Sequence, residues 1–190
     1  QGHSEYTLSK LGIESVVEKE NYQIEDLNLL QNPEIPDDAD IVLVMSPEFD
    51  LTQPEADALS TYLEDEDGSA LFFFDFLGDQ ELTRFNDMLS AFGVEIGSGI
   101  VMESNRNYLY SADNPLWIAP EILSHEITDP LKSSSLTVLM PNNLPVETLE
   151  IKKRNVIIDP LLQTSDDSWV RTDFEDRSML RQMGDVRGPV

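Results

Sequence analysis

The chain has 190 residues, 40% of them apolar, enough for one domain with a real core or one domain plus a small appendage. Its 37 Asp and Glu against 12 Lys and Arg leave a net charge of −25, a surface that repels phosphate backbones and argues against nucleic-acid partners. With no Cys, a thiol nucleophile, a disulfide framework and a Cys-ligated zinc are excluded, and no run approaches the ~18 apolar residues of a membrane span.

Ser4 to Asn21 reads as a helix capped by Ser4, with Leu8, Leu11, Ile13, Val16 and Val17 on an imperfect apolar face. Ile24 to Leu30 is expected as a short strand, broken off by Asn32-Pro33 and Ile35-Pro36. Ile41 to Met45 is a continuous apolar run of strand length, the pattern of a strand buried on both faces of a parallel sheet. Ser46-Pro47 ends it. Thr52-Gln53-Pro54-Glu55 is a capping box with Pro in the first turn, followed by the stripe Ala56, Leu59, Tyr62 and Leu63.

Ala70 to Phe74 is a second apolar strand. Asp79 is placed to cap a third helix bearing Leu82, Phe85, Met88, Leu89 and Phe92, which Gly93 terminates. Helix and strand therefore alternate through residues 1–100, with connections short enough for right-handed βαβ units. The expected class is α/β: an open, mostly parallel sheet of Rossmann or flavodoxin type with helices on both faces. Residues 101–190 are a less regular continuation of the same single domain. Probable strands there are Val101–Tyr110, Leu136–Met140, Val146–Lys152 and Val156–Leu162, followed by "QTSDDSWV" and a charged tail. The abrupt start at Gln1-Gly2-His3 and stop at Arg187-Gly188-Pro189-Val190 read as an excerpt of a longer protein.

Carboxylates invite a metal or acid/base reading, yet their positions favour structure. Asp37, Asp38 and Asp40 precede the first apolar strand, whereas Glu48, Asp50 and Glu55 follow it. Five residues at ~3.3 Å each hold the two groups roughly 17 Å apart. Glu48 and Asp50 sit where open α/β sheets bind ligands, and Asp75 follows the second strand at the equivalent edge. His3 and His125, the two histidines, are too few for a zinc site without further converging ligands. Ser46, His125 and Asp75 can be written as a triad, but no Gly-x-Ser-x-Gly elbow is present and Pro47 removes the amide of an oxyanion hole. Thr164 and Ser165 offer hydroxyls to a small ligand, or simply make a turn. Trp117 and Trp169 are either partner anchors or half-buried packing.

"QGHSE", "NYQIEDLNLL", "IPDDADIVLVMSPEFDLTQPEADALSTYLEDEDGSALFFFD", "MLSAFGVEIGSGIVME", "SHEITDPL" and "LLQTSDDSW" occur in the order seen in the GldG family, and over nearly its whole length the chain resembles that family. These are auxiliary components of ABC-2-type transporters, first named for gliding motility. The resemblance implies a three-layer α/β fold related to class I glutamine amidotransferases and to a domain of intraflagellar transport proteins. It further implies a parent anchored in the cell membrane with this domain outside the cytoplasm, and non-enzymatic work beside a permease and an ATPase. "RGPV" resembles the start of a further strand of the family. Two features depart from the pattern: Glu66-Asp67-Gly68-Ser69 stands where the family has Gly-Gly, and the Cys nucleophile of the amidotransferase enzymes is missing.

The leading expectation is a non-catalytic extracytoplasmic domain without metal or cofactor. It would bind a small molecule, a glycan or a partner protein along the edge lined by Gly2, His3, Ser46, Pro47, Asp50 and Asp75, with Thr164 and Ser165 as additions. The alternative is a metal-assisted hydrolase in which His3, Asp75 and Asp50 converge in a pocket. A purely structural interaction domain would show an exposed apolar patch instead.

Overall fold

The computed structural model of the chain describes residues 12–65, 68–76, 78, 81–150, 153, 155–175 and 178–190. The chain divides into two compact units, the first comprising Gln1–Phe74 and Glu81–Met88, the second Asp75–Gln80 and Leu89–Val190.

In the first unit, α1 (Ile13–Lys19) is followed by an irregular stretch that reaches β1 (Val42–Met45). The strand expected over Ile24–Leu30 does not form: Asn28 turns the chain by accepting the Gln31 amide on both its side chain and its backbone carbonyl, and Ile24, Leu27 and Leu30 stay exposed. β1 pairs in parallel with β2 (Ala70–Phe73), with Val42 opposite Ala70 and Met45 opposite Phe73. The crossover between them is α2 (Gln53–Glu64), long enough to return the chain in the same direction. The reach-back half of the capping box forms: Glu55, buried at 2% exposure, accepts the Thr52 amide and hydroxyl, each at 2.7 Å. Tyr62 Oη ties the start of both strands together, lying 3.0 Å from Ala39 O and 3.1 Å from Ser69 O.

Side chains alternate across the pair. Val42 and Val44 are buried, and Phe72 and Phe74 stack in parallel while Phe85 of α3 (Thr83–Ser90) meets both edge-on at 6.4 and 5.2 Å. Leu43, Leu71 and Phe73 on the opposite face are exposed, so these strands are buried on one face and not on both.

The second unit is built from short antiparallel pieces. β4 (Ile100–Met102), β10 (Trp169–Arg171) and β11 (Val186–Arg187) form a three-stranded sheet in the order β11-β10-β4. Two-stranded pairs join β3 (Val94–Ile96) to β8 (Val146–Thr148), β5 (Trp117–Ile118) to β7 (Met140–Pro141), and β6 (Glu121–Ile122) to β9 (Leu162–Gln163). A 3-10 turn spans Arg106–Tyr108, and α4 (Asp129–Ser133) is the short helix of this unit. The β4–β10 pair is its centre: Ile100, Met102 and Trp169 pack on one face with Phe76 and Leu116, while Val101 and Val170 pack with Ile118 and Val190 on the other.

The expected fold class is thereby corrected. Among the described residues the open, mostly parallel Rossmann- or flavodoxin-like sheet, and the three-layer arrangement of a class I glutamine amidotransferase, are absent; one parallel pair stands beside small antiparallel sheets. The physical reason is strand length and punctuation. After β2 the strands shrink to two or three residues, and segments so short pair with distant antiparallel partners instead of repeating the βαβ crossover. Val101–Tyr110 and Val156–Leu162 accordingly contribute only β4 and β9 at one end each. The charged tail is not loose: Arg171, 3% exposed, sends its Nε and Nη2 to the Asp185 carboxylate at 3.1 and 2.8 Å and donates to the carbonyls of Ser178 and Leu180.

Candidate functional site

The turn between β9 and β10, Thr164 to Ser168, forms the floor of a cavity of about 480 Å³ within the second unit. It is built on a buried carboxylate. Glu103 ends the apolar β4 run at 1% exposure, and its Oε1 accepts the amides of Ser104 and Asn105, both at 2.8 Å. Ser165 completes the arrangement, its hydroxyl donating to Oε1 at 2.8 Å and its amide to Oε2 at 2.9 Å. Oε1 takes three of these four donors and Oε2 one, and through them two distant loops are pinned to each other.

Around this floor stand hydrogen-bonding side chains. Thr164 closes one side: its amide reaches Val190 O at 3.0 Å, and its hydroxyl lies 2.7 Å from Ser168 Oγ and accepts the Val190 amide at 2.9 Å. Asn105 and Tyr108 enter from the 3-10 turn, Glu121 from β6 and Gln163 from β9; Asp166, Asp167, Arg187 and Pro189 complete the lining. Tyr108 donates to Glu121 Oε2 at 3.2 Å, and Arg187 Nε donates to Asp166 O at 3.2 Å. Desolvation first, then the charge of Glu121 and its hydrogen bond, with Glu103 and Asp166 adding less, raise the Tyr108 phenol above its ordinary value. It stays a neutral donor through the physiological range. The cavity thus offers donors and acceptors in a negative field. Its serine hydroxyl donates to the underlying carboxylate and accepts the Asp167 amide at 3.1 Å.

Of the residues singled out from the sequence, Thr164 and Ser165 line this cavity. Gly2 and His3 lie outside the described residues, as does Asp79, the expected cap of α3. Asp50 takes the capping role, accepting the amides of Arg84 and Phe85 at 2.9 and 3.3 Å. Ser46 and Pro47 are buried at the end of β1, where the Ser46 amide reaches Phe73 O at 2.7 Å. Asp75 is exposed and bridges to Asn143. Ser46, Pro47 and Asp50 belong to the first unit, Asp75, Thr164 and Ser165 to the second. His125 braces its own loop, Nδ1 accepting the Ile127 amide at 3.2 Å. Among the described residues no group of three or more His, Asp or Glu is arranged to hold a metal ion. Asn105, Tyr108, Glu121 and Glu103 escaped the sequence reading; the one available signal was a carboxylate closing the apolar run "GIVME".

The profile of the family described as "ABC-type uncharacterized transport system" (ABC_transp_aux) matches residues 2–185. The chain belongs to this family. No curated protein matches it. Among solved structures, the mmIFT52 N-terminal domain is similar, with a TM-score of 0.54 and 19% identity over 82% of this chain and 71% of that one; a likeness at that identity speaks for the fold alone. As an auxiliary of an ABC-type transport system, the chain has a transport-associated role and works in association with that system. No helix among the described residues is long and apolar enough to cross a membrane. The GldG-like character anticipated from the ordered motifs agrees with this membership.

Proposed function

We propose that this chain is a non-catalytic, extracytoplasmic accessory domain of an ABC-2-type export or surface-assembly system of the gliding kind, and that its cavity holds a small hydrogen-bonding ligand such as a short glycan. The parent protein would carry the domain beside its permease and ATPase. The observation that carries the ligand reading is the cavity over the Glu103–Ser165 floor. Its lining mixes amides, carboxylates, hydroxyls and one guanidinium with the ring of Tyr108 and Pro189, a set suited to a polar, hydroxyl-bearing molecule with one apolar face. Ser165 is held to Glu103 through both its hydroxyl and its amide, a rigid floor suited to binding.

Calorimetric titration of the chain with a panel of short soluble glycans tests the proposal. One or more should bind, and Glu121→Gln or Gln163→Ala should weaken that binding by about tenfold, the equivalent of ~1.4 kcal/mol. Binding indifferent to both substitutions, or conversion of the glycan into a product, would overturn it.

A further inference from the structure

Between β10 and β11, the described residues of the 172–185 segment include three apolar side chains that are more than half exposed. Leu180 is 76% exposed, Met183 103% and Met179 54%. These side chains project from a loop whose backbone is held from within. Arg171 donates to the carbonyls of Ser178 and Leu180, the latter at 2.7 Å; Ser178 Oγ accepts the Leu180 amide at 3.2 Å; and Asp185 Oδ2 accepts the Gln182 amide at 2.7 Å. The clasp itself, Arg171 with Asp185, is a buried ion pair at 2.8 Å. The charge pattern changes here too. Residues 177–184, "RSMLRQMG", contain two Arg and no acid, in a chain of net charge −25 whose preceding residues include Asp173, Glu175 and Asp176.

We propose that this loop docks onto a phospholipid bilayer, with Met179, Leu180 and Met183 entering the boundary between headgroups and acyl chains and Arg181 meeting lipid phosphates. Three observations favour lipid over an aqueous protein partner. Met179, Leu180 and Met183 stand exposed within five consecutive positions, a small apolar cluster that a deformable bilayer accepts without a matching pocket. Several backbone polar groups beneath them already have partners inside the loop, the condition for leaving water. The exposed Arg181 among these apolar side chains suits phosphate groups, while the acidic body of the chain is repelled by anionic headgroups, so that only the tip enters.

Because the chain has no cysteine, Met183→Cys gives a unique attachment point for an environment-sensitive fluorophore. With phosphatidylcholine vesicles the label should shift to the blue. Leu180→Ser in the same background should lower the partition coefficient by about tenfold, given the burial that a Leu side chain loses. Adding phosphatidylglycerol at low salt should weaken binding through the net charge, and salt should restore it. Tryptophan emission, unchanged across the variants, confirms that each is folded. No shift with phosphatidylcholine, a shift unaffected by Leu180→Ser, or a shift that grows with protein concentration in the absence of lipid would overturn the proposal; the last would assign the tip to a second copy of the chain.

Discussion

Replacing Arg171 by Met tests whether the ion pair at the base of the 172–185 segment holds the second unit together. The two side chains are 4% and 5% exposed. The guanidinium meets Asp185 through Nε at 3.1 Å and Nη2 at 2.8 Å and also serves two backbone carbonyls. Removing it leaves a buried carboxylate whose remaining described partner is the Gln182 amide. Breaking one side of such a pair costs about 3–5 kcal/mol. With a urea dependence of about 1–3 kcal/mol per molar, the midpoint followed by tryptophan emission should fall by roughly 1–5 M. Arg171→Met/Asp185→Leu removes both charges and should recover most of the loss, because well-packed apolar replacement of a buried pair is often neutral.

The pH dependence has a definite sign. Hydrogen bonding to Arg171, opposed by burial, lowers the Asp185 pKa. Its contribution is therefore complete above the unfolded value of about 3.9 and is lost as pH falls through the lower folded value. In Arg171→Met the largest lowering cause is gone, leaving burial, which raises that pKa, against the Gln182 amide and the charge of Arg181, so the loss of stability on acidification should shrink. A midpoint shift below about 0.3 M, or a double variant no more stable than the single one, would refute the reasoning.

Glu103→Gln places an amide group opposite amide and hydroxyl donors, and should lower stability by about 2–3 kcal/mol in urea unfolding while weakening whatever glycan the cavity binds. Gly99→Ala puts a Cβ 2.5 Å from Arg171 O at a backbone φ of +103°; strain of about 1–3 kcal/mol should appear as a lower thermal midpoint. Ultraviolet titration should find Tyr108 ionising above the ordinary value of about 10, and Glu121→Gln should bring it down by removing the nearby charge and hydrogen bond.

What could be read from the sequence was local. The Ile41–Met45 and Ala70–Phe74 runs, the Thr52–Glu55 box and the α2 stripe each signal themselves within a dozen residues, and β1, β2 and α2 follow. The overall class was misjudged because a parallel pair joined by one helix does not say whether the pattern continues. In the second half, strands of two or three residues carry almost no periodic signal, and their pairings join residues far apart, as with Val94 and Thr148. The candidate site suffered most from this. Thr164 and Ser165 were visible as a hydroxyl pair, but their connection to Glu103 spans 62 positions and depends on the β4–β10 register. Nor did "RTDFEDRSMLRQMGD" announce that its first Arg and last Asp would meet out of water.

The alternation across β1 and β2 has a practical consequence for handling this chain. Leu43, Leu71 and Phe73 make a sticky plate, and mutual repulsion between molecules of charge −25 works to hold such plates apart. At about 1 M salt that repulsion reaches only ~3 Å, and near the isoelectric point of about 4.1 it vanishes. Brine and acid should therefore cloud the solution from the same cause, and dilution back into dilute neutral buffer should clear it.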